Sequence, residues 1–292
     1  MQSQPKQFII PDDLDPQFHP PSNLQLDTFL NRNNKTVRFG YVFPEVKPNC
    51  VVFILQGLSE FGEKYSEFMN EQLSKGRACV FIDWVYQGGS ERLPQNPHKR
   101  HSDGFESDAQ DVLDFMANQL PEILSNNDAP DTPVILYGHS TGAAISLLAL
   151  RNNPDITRGV ALSAPLLKIN FPEIAYPLLR LIASVQNKIN PEKYVFFGEN
   201  WDMTSKHNQF EGNVLTSDER RFWIQRQWFV ENPDLQVGSV TWAWLNNAFK
   251  TTDFIRKDKE LESLSVPFLI AGAGKDQLTK ASEAEKLSEK LE

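Results

Sequence analysis

The chain has 292 residues, 40% of them apolar and 23% charged, which suits one large soluble α/β domain or one domain with an insertion. Its net charge of −9 gives a nucleic-acid partner no electrostatic footprint, and no apolar run is long enough to span a membrane. The opening Met1–Lys6 lacks the apolar run of a signal peptide, and Cys50 and Cys79 are the only cysteines. They read as buried reduced thiols, with a disulfide as the lesser alternative if their strands are neighbours. The expected location is the cytoplasm.

Residues 1–24 are polar and Pro-rich (Pro5, Pro11, Pro16, Pro20, Pro21) and read as a tail or wrapping arm. Strands are expected at Leu26–Leu30 and Val37–Phe43, with Asn31, Asn33 and Asn34 turning between them. Val51–Leu55 is a continuous apolar run, the pattern of a strand buried on both faces. Phe61, Tyr65, Phe68, Met69 and Leu73 fall on one helical face, which Gly76 ends. A strand at Val80–Ile82, a Gly-rich loop and a helix over Ser107–Leu120 follow. Val134–Tyr137 is a strand, Ala143–Leu150 a helix and Gly159–Leu162 another strand. This alternation predicts a mostly parallel sheet with helices on both faces. It breaks over 166–255, a helical stretch holding five of the six Trp, best read as a lid insertion. It resumes with a strand at Pro267–Ala271 and a helix carrying Ala284, Leu287 and Leu291. The expected organisation is an arm (1–24), a first core segment (25–165), the lid (166–255) and a last core segment (256–292).

Gly138-His139-Ser140-Thr141-Gly142 sits between a strand and a helix, the context of a nucleophile elbow. The pentapeptide alone is weak evidence; the flanking elements make it strong. Ser140 is the candidate nucleophile, and it needs an acid, a base and an oxyanion hole. Asp276 follows the late strand, where the acid belongs in the order Ser, Asp, His. A turn Asp with no chemistry is the other reading. The oxyanion donors are the N–H of Thr141, which follows the nucleophile, and that of Leu58, with Gly57 letting the backbone turn.

The base is missing. The histidines are His19, His98, His101, His139 and His207, and none follows Asp276. His101 lies in a loop opening on the elbow's face, but it reads first as a loop histidine satisfied by hydrogen bonds.

These residues resemble the lysophospholipase and monoacylglycerol-lipase branch of the α/β-hydrolases, the serine aminopeptidase S33-like group. Gln56-Gly57-Leu58-Ser59-Glu60 through Tyr65 is similar to its His-Gly-x-x-Glu…Tyr oxyanion loop, with Gln56 in place of His. Asp83–Ser90 resembles its Asp-Trp-Arg-Gly-Gln-Gly-x-Ser loop, departing at Val85 and Tyr86. His101–Phe105, the elbow, and Gly272–Asp276 also match, and Asn213–Asp218, Asn232–Leu235, Gly238 and Trp242 look like bacterial lysophospholipase-like members. The resemblance implies an α/β-hydrolase fold and cleavage of carboxylic esters of monoacyl lipids, without metal or cofactor. Besides the acyl ester, it implies transient contact with membrane lipid at the inner membrane surface. It also implies a final strand and a histidine that the sequence lacks, so the chain is expected to be C-terminally truncated and nearly inert, with the 268–271 strand an unpaired edge. The rival expectations are a catalytically inactive hydrolase fold serving as a binding protein, and a peptidase or other serine hydrolase on the same fold.

Overall fold

The structure, a computed structural model, describes residues 4–291; Met1–Ser3 of the expected arm and Glu292 of the last core segment lie outside the described residues. Seven strands form one sheet: β1 (Gln25–Leu30), β2 (Thr36–Val42), β3 (Val51–Leu55), β4 (Ala78–Ile82), β5 (Val134–His139), β6 (Val160–Ser163) and β7 (Phe268–Ala271). Their order across the sheet is β1-β2-β4-β3-β5-β6-β7. The five strands from β4 to β7 run parallel, and β2 is antiparallel to both of its neighbours. β3 and β4 are buried at every position, as apolar strands covered on both faces must be. Val51, Phe53 and Leu55 face one cluster while Val52 and Ile54 face another, the period of two that separates the faces of a strand.

Helix α1 (Ser66–Ser74) packs on the second face through Met69. Helices α2 (Phe105–Asn118), α3 (Leu120–Asn126) and α4 (Thr141–Asn152) cover the first. The α4 side chains Ile145, Leu147 and Leu150 are wholly buried, each contributing about 1.5–3 kcal/mol. Two expectations shift. Phe61 is extended, outside the helix, because it packs on Trp228 and Phe229 instead. The helix from 105 does not simply end near 120: Pro121 stands in the first turn of α3, where a missing N–H costs nothing.

Between β6 and β7 come α5 (Tyr176–Ile189), α6 (Glu219–Glu231) and α7 (Trp242–Lys257); α8 (Ser282–Leu291) follows β7. Trp228, Trp242 and Trp244 are core residues. On α5, Tyr176 and Ala183 face Trp242 and Phe249, with Ile182 packed beside them. The apolar side chains in and just before α5 therefore divide: Ile182 turns inward, while Ile174, Leu178, Leu181 and Val185 are exposed. The arm does wrap. Leu14 and Phe18 are buried with Phe61, Ile224, Trp228 and Leu235. Both cysteines are free.

Parallel strands that end together create the crevice where α/β sheets bind ligands. Leu55 pairs with Gly138, His139 with Ser163, and Ser163 with Ala271, so the loops after β3, β5, β6 and β7 leave one edge.

Candidate active site

Ser140 is the single residue between β5 and α4. Its backbone stands at φ 50°, ψ −111°, a conformation that costs a non-glycine residue roughly 1–3 kcal/mol and persists only when its surroundings enforce it. Its N–H donates to Ser163 O at 2.9 Å, and its carbonyl accepts from Ala143 N and Leu166 N at 3.1 and 3.0 Å. A Cβ at Gly142 would lie 2.0 Å from Leu55 O, and one at Gly138 would lie 2.6 Å from Ser146 Oγ. Both glycines are required by the close approach of helix and strands. The N-terminus of α4 is thus pressed against the end of β3, with the first N–H groups of a helix left unpaired. Among the described residues, neither the Thr141 nor the Leu58 amide donates a hydrogen bond.

The loop after β3 rests on a buried charged network. Arg38 on β2, fully buried, donates from Nε to Asp83 Oδ2 at 2.9 Å and from Nη2 to Glu63 Oε2 at 2.5 Å. Asp83 also accepts from Gln56 Nε2, Gly62 N and Gly89 N at 2.9, 3.0 and 2.7 Å. Trp84 Nε1 donates to Gln56 O at 2.9 Å. Glu60 accepts from Gly57 N at 2.7 Å, Tyr65 Oη at 2.5 Å and Lys64 Nζ at 2.6 Å. Burial works against the Glu60 charge, but Lys64, His139 and the Tyr65 hydroxyl outweigh it and hold the carboxyl at about 2. The backbone reversal expected of Gly57 falls on Ser59 instead, at φ 59°. Gly57 is needed for clearance: a Cβ there would meet Glu60 Oε2 at 2.8 Å and His139 Cδ2 at 2.9 Å.

Asp276 is half-buried in the loop after β7. Its Oδ1 accepts from the N–H groups of Leu278 and Thr279 at 2.8 and 2.9 Å, and Oδ2 accepts from Thr279 Oγ1 at 2.6 Å. The loop is joined to the chain after β6 by Asn170 N→Leu278 O and Lys280 N→Lys168 O, both 2.9 Å. Since Leu166 in that chain donates to Ser140 O, the Ser140, Thr141, Leu58 and Asp276 loops share one edge of the sheet.

His101, buried, contacts Thr241 Oγ1 through Nδ1 at 3.0 Å and lies edge-on to Tyr86, and burial lowers its pKa. His19 Nε2 contacts Leu14 O at 2.9 Å. His98 is half-buried in the loop after β4, its pKa also lowered by burial. His139 is beside Gly57, and His207 belongs to the short turn Lys206–Asn208. Among the described residues no group of His, Cys, Asp and Glu could hold a metal ion. Two surface concavities of about 430 and 420 Å³ include none of Ser140, Leu58, Thr141 or Asp276 in their walls, so chemistry rather than volume marks this site.

Arg38, Glu63 and Gln87 escaped the sequence reading as site-shaping residues. Gln87 donates from Nε2 to Gly57 O and Glu60 O at 3.0 and 2.7 Å and accepts from Ser59 N at 3.1 Å. Its place in the Asp83–Ser90 loop was the available signal.

Comparison with known proteins agrees with this fold. A family model described as serine aminopeptidase, S33, matches residues 46–292. Lysophospholipase L2 of Escherichia coli (strain K12) is 26% identical over 200 residues, 68% of this chain and 56% of that protein. Monoglyceride lipase of Rattus norvegicus is 28% identical over 195 residues, 66% of this chain and 59% of its own. The chain thus aligns with less than two thirds of the length of either relative. The crystal structure of a soluble variant of monoglyceride lipase from Saccharomyces cerevisiae, in complex with a substrate analog, superposes with a TM-score of 0.67 at 15% identity, covering 94% of this chain and 82% of that one.

Proposed function

We propose a function that follows from where this chain belongs: it is a member of the serine aminopeptidase S33 family and has the α/β-hydrolase fold. The reaction is hydrolysis of carboxylic esters of monoacyl lipids, of the lysophospholipase or monoacylglycerol lipase type. Ser140 attacks the acyl carbonyl, and the Leu58 and Thr141 amides hold the oxyanion. Asp276 is the acid that orients a histidine, and no histidine follows it in these 292 residues. The observation that carries the reading is Ser140 held at positive φ between two glycines where any Cβ would force the neighbouring atoms to shift.

Residues 166–255 act as the lid. In support, the face of α5 turned from the core bears Leu178, Leu181, Val185 and Ile189, all exposed, and Ile174 just before the helix is 95% exposed. Such a stripe fits transient contact with a lipid surface. No helix of the described residues is long and apolar enough to cross a membrane. A second reading, an inactive hydrolase fold that binds acyl esters, is favoured by the Asp276 carboxylate, both of whose oxygens are already bonded within its own loop.

The test is covalent labelling. An aryl fluorophosphonate should modify one serine on long incubation, and Ser140→Ala should abolish it; labelling that survives the substitution removes the proposal. Ester turnover by these 292 residues should be at trace level, since losing the histidine of such a triad costs on the order of 10⁶, about 8 kcal/mol of barrier. Added imidazole should raise the rate in the parent chain and not in Ser140→Ala. Full turnover without it would make His101, tested by His101→Ala, the first candidate base. Among substrates, the rate should rise from acetate to decanoate esters, because each buried CH₂ is worth about 0.8 kcal/mol. A flat profile would count against a lipid substrate.

A further inference from the structure

Ser59 is a second non-glycine residue at positive φ beside the site, in the loop whose Leu58 amide has no partner among the described residues. Strain of this kind survives only when several contacts dictate it. Gln87 supplies one, accepting from Ser59 N. The other comes from outside the sheet's own loops. Gln225, buried on α6, donates from Nε2 to Ser59 O at 2.7 Å, while its Oε1 accepts from Lys64 Nζ at 3.3 Å. Lys64 in turn holds Glu60, the carboxylate that accepts from Gly57 N. One amide side chain from the 166–255 segment therefore grips the loop at both ends of its turn.

The helix that carries Gln225 is itself fixed from the other side. Asn232, which follows α6, accepts from Ile9 N at 2.7 Å and donates to Ile9 O at 2.8 Å, as one strand would pair with another. Leu14 and Phe18 of the arm pack on Ile224 and Trp228, and Asp15 bonds Arg220 at 2.5 Å. The arm also meets the network below the loop: Arg38 Nη1 donates to Lys6 O at 2.7 Å, and the Phe8 ring lies 4.5 Å from the guanidinium.

We propose that Gln225 is a positioning residue that sets the aim of the Leu58 amide through Ser59, with the arm clamping α6 so that this grip is held. The proposal rests on the reading of Leu58 as an oxyanion donor for its consequence in catalysis, but the grip itself is independent of that reading. A lid that slid freely over the site could not perform this task. The α6 part of the 166–255 segment is therefore a fixed wall of the site, in contrast to a flap.

Gln225→Glu is the discriminating change, because it keeps the size and the Lys64 contact and removes the donor to Ser59 O. Hydrogen exchange of the Gly57 and Ser59 amides, both bonded in the parent chain, should quicken by roughly tenfold in Gln225→Glu, the equivalent of one hydrogen bond. Asn232→Ala should shift the same amides in the same direction and by less. In fluorophosphonate labelling of Ser140, the maximal rate should fall roughly tenfold, well short of the ~10²–10³ lost with an oxyanion donor outright, with the reagent's binding constant unchanged. Unchanged loop exchange in Gln225→Glu, with the fold intact by circular dichroism, overturns the proposal. Should the parent chain show no labelling at all, the hydrolase reading fails while exchange still decides the role of Gln225.

Discussion

The two halves of the candidate site are built differently. The Gln56–Tyr65 loop rests on charges taken wholly out of water, where Asp83, Glu63 and Arg38 satisfy one another and anchor the backbone at several points. The Asp276 loop rests on β7, the last strand of the described sheet, whose Leu269 is 68% exposed, and on hydrogen bonds to its own neighbours. A buried ionic network tolerates no missing partner, whereas a capped surface turn loses one contact at a time. Geometry that must not drift is on the first side, and geometry open to adjustment is on the second.

That contrast can be broken or sharpened by substitution. Arg38→Ala leaves two buried carboxylates unpaired and should destabilise by about 3–5 kcal/mol in urea unfolding. A loss below about 1 kcal/mol would mean that water enters the network and that the two halves are alike. Glu60→Gln comes next. The Glu60 carboxyl is at about 2 in the folded chain, below its ordinary value of 4.5. Its ionised form therefore favours the fold above pH ~4.5, and the benefit fades as pH falls toward ~2, amounting to about 3 kcal/mol between these limits. The parent chain should exceed Glu60→Gln in stability by that order at pH 7 and match it near pH 2. Gly142→Ala must displace the α4 N-terminus from Leu55 O and should cost about 1–3 kcal/mol by thermal unfolding, with Ser140 labelling reduced further than stability. The smallest effect belongs to the other half: Asp276→Ala, with its partly exposed cap bonds, should cost no more than about 1 kcal/mol. An Asp276→Ala loss as large as that of Arg38→Ala would erase the distinction.

The half-site built on local pattern was legible in the sequence. Ser140 declared itself because a strand, two glycines and a helix are contiguous, and Asp276 because chain order puts it after a recognisable strand. The sheet was legible for the same reason, each strand being a short apolar run with turn residues beside it. The supports were not. Arg38 stands in an alternating strand where a lone arginine reads as a solvated side chain, and its partners are 25 and 45 residues away. Gln225 is one polar residue on a helix, and nothing in its neighbourhood of sequence points to Ser59, 166 residues earlier. On α5, periodicity alone could not tell the half-buried Ile182 from its exposed neighbours.

The pairing of Ile9 with Asn232 spans 223 residues and so orders events in time. A ribosome adding ~5–20 residues per second delivers Asn232 roughly 10–45 s after Ile9 has emerged. Throughout that interval Leu14 and Phe18 have no α6 to cover them, so the nascent chain carries apolar side chains whose docking site is unmade. The arm is thus made well before α6 and docks only after it, and the wait is a window for chaperone capture or for adhesion to another nascent copy.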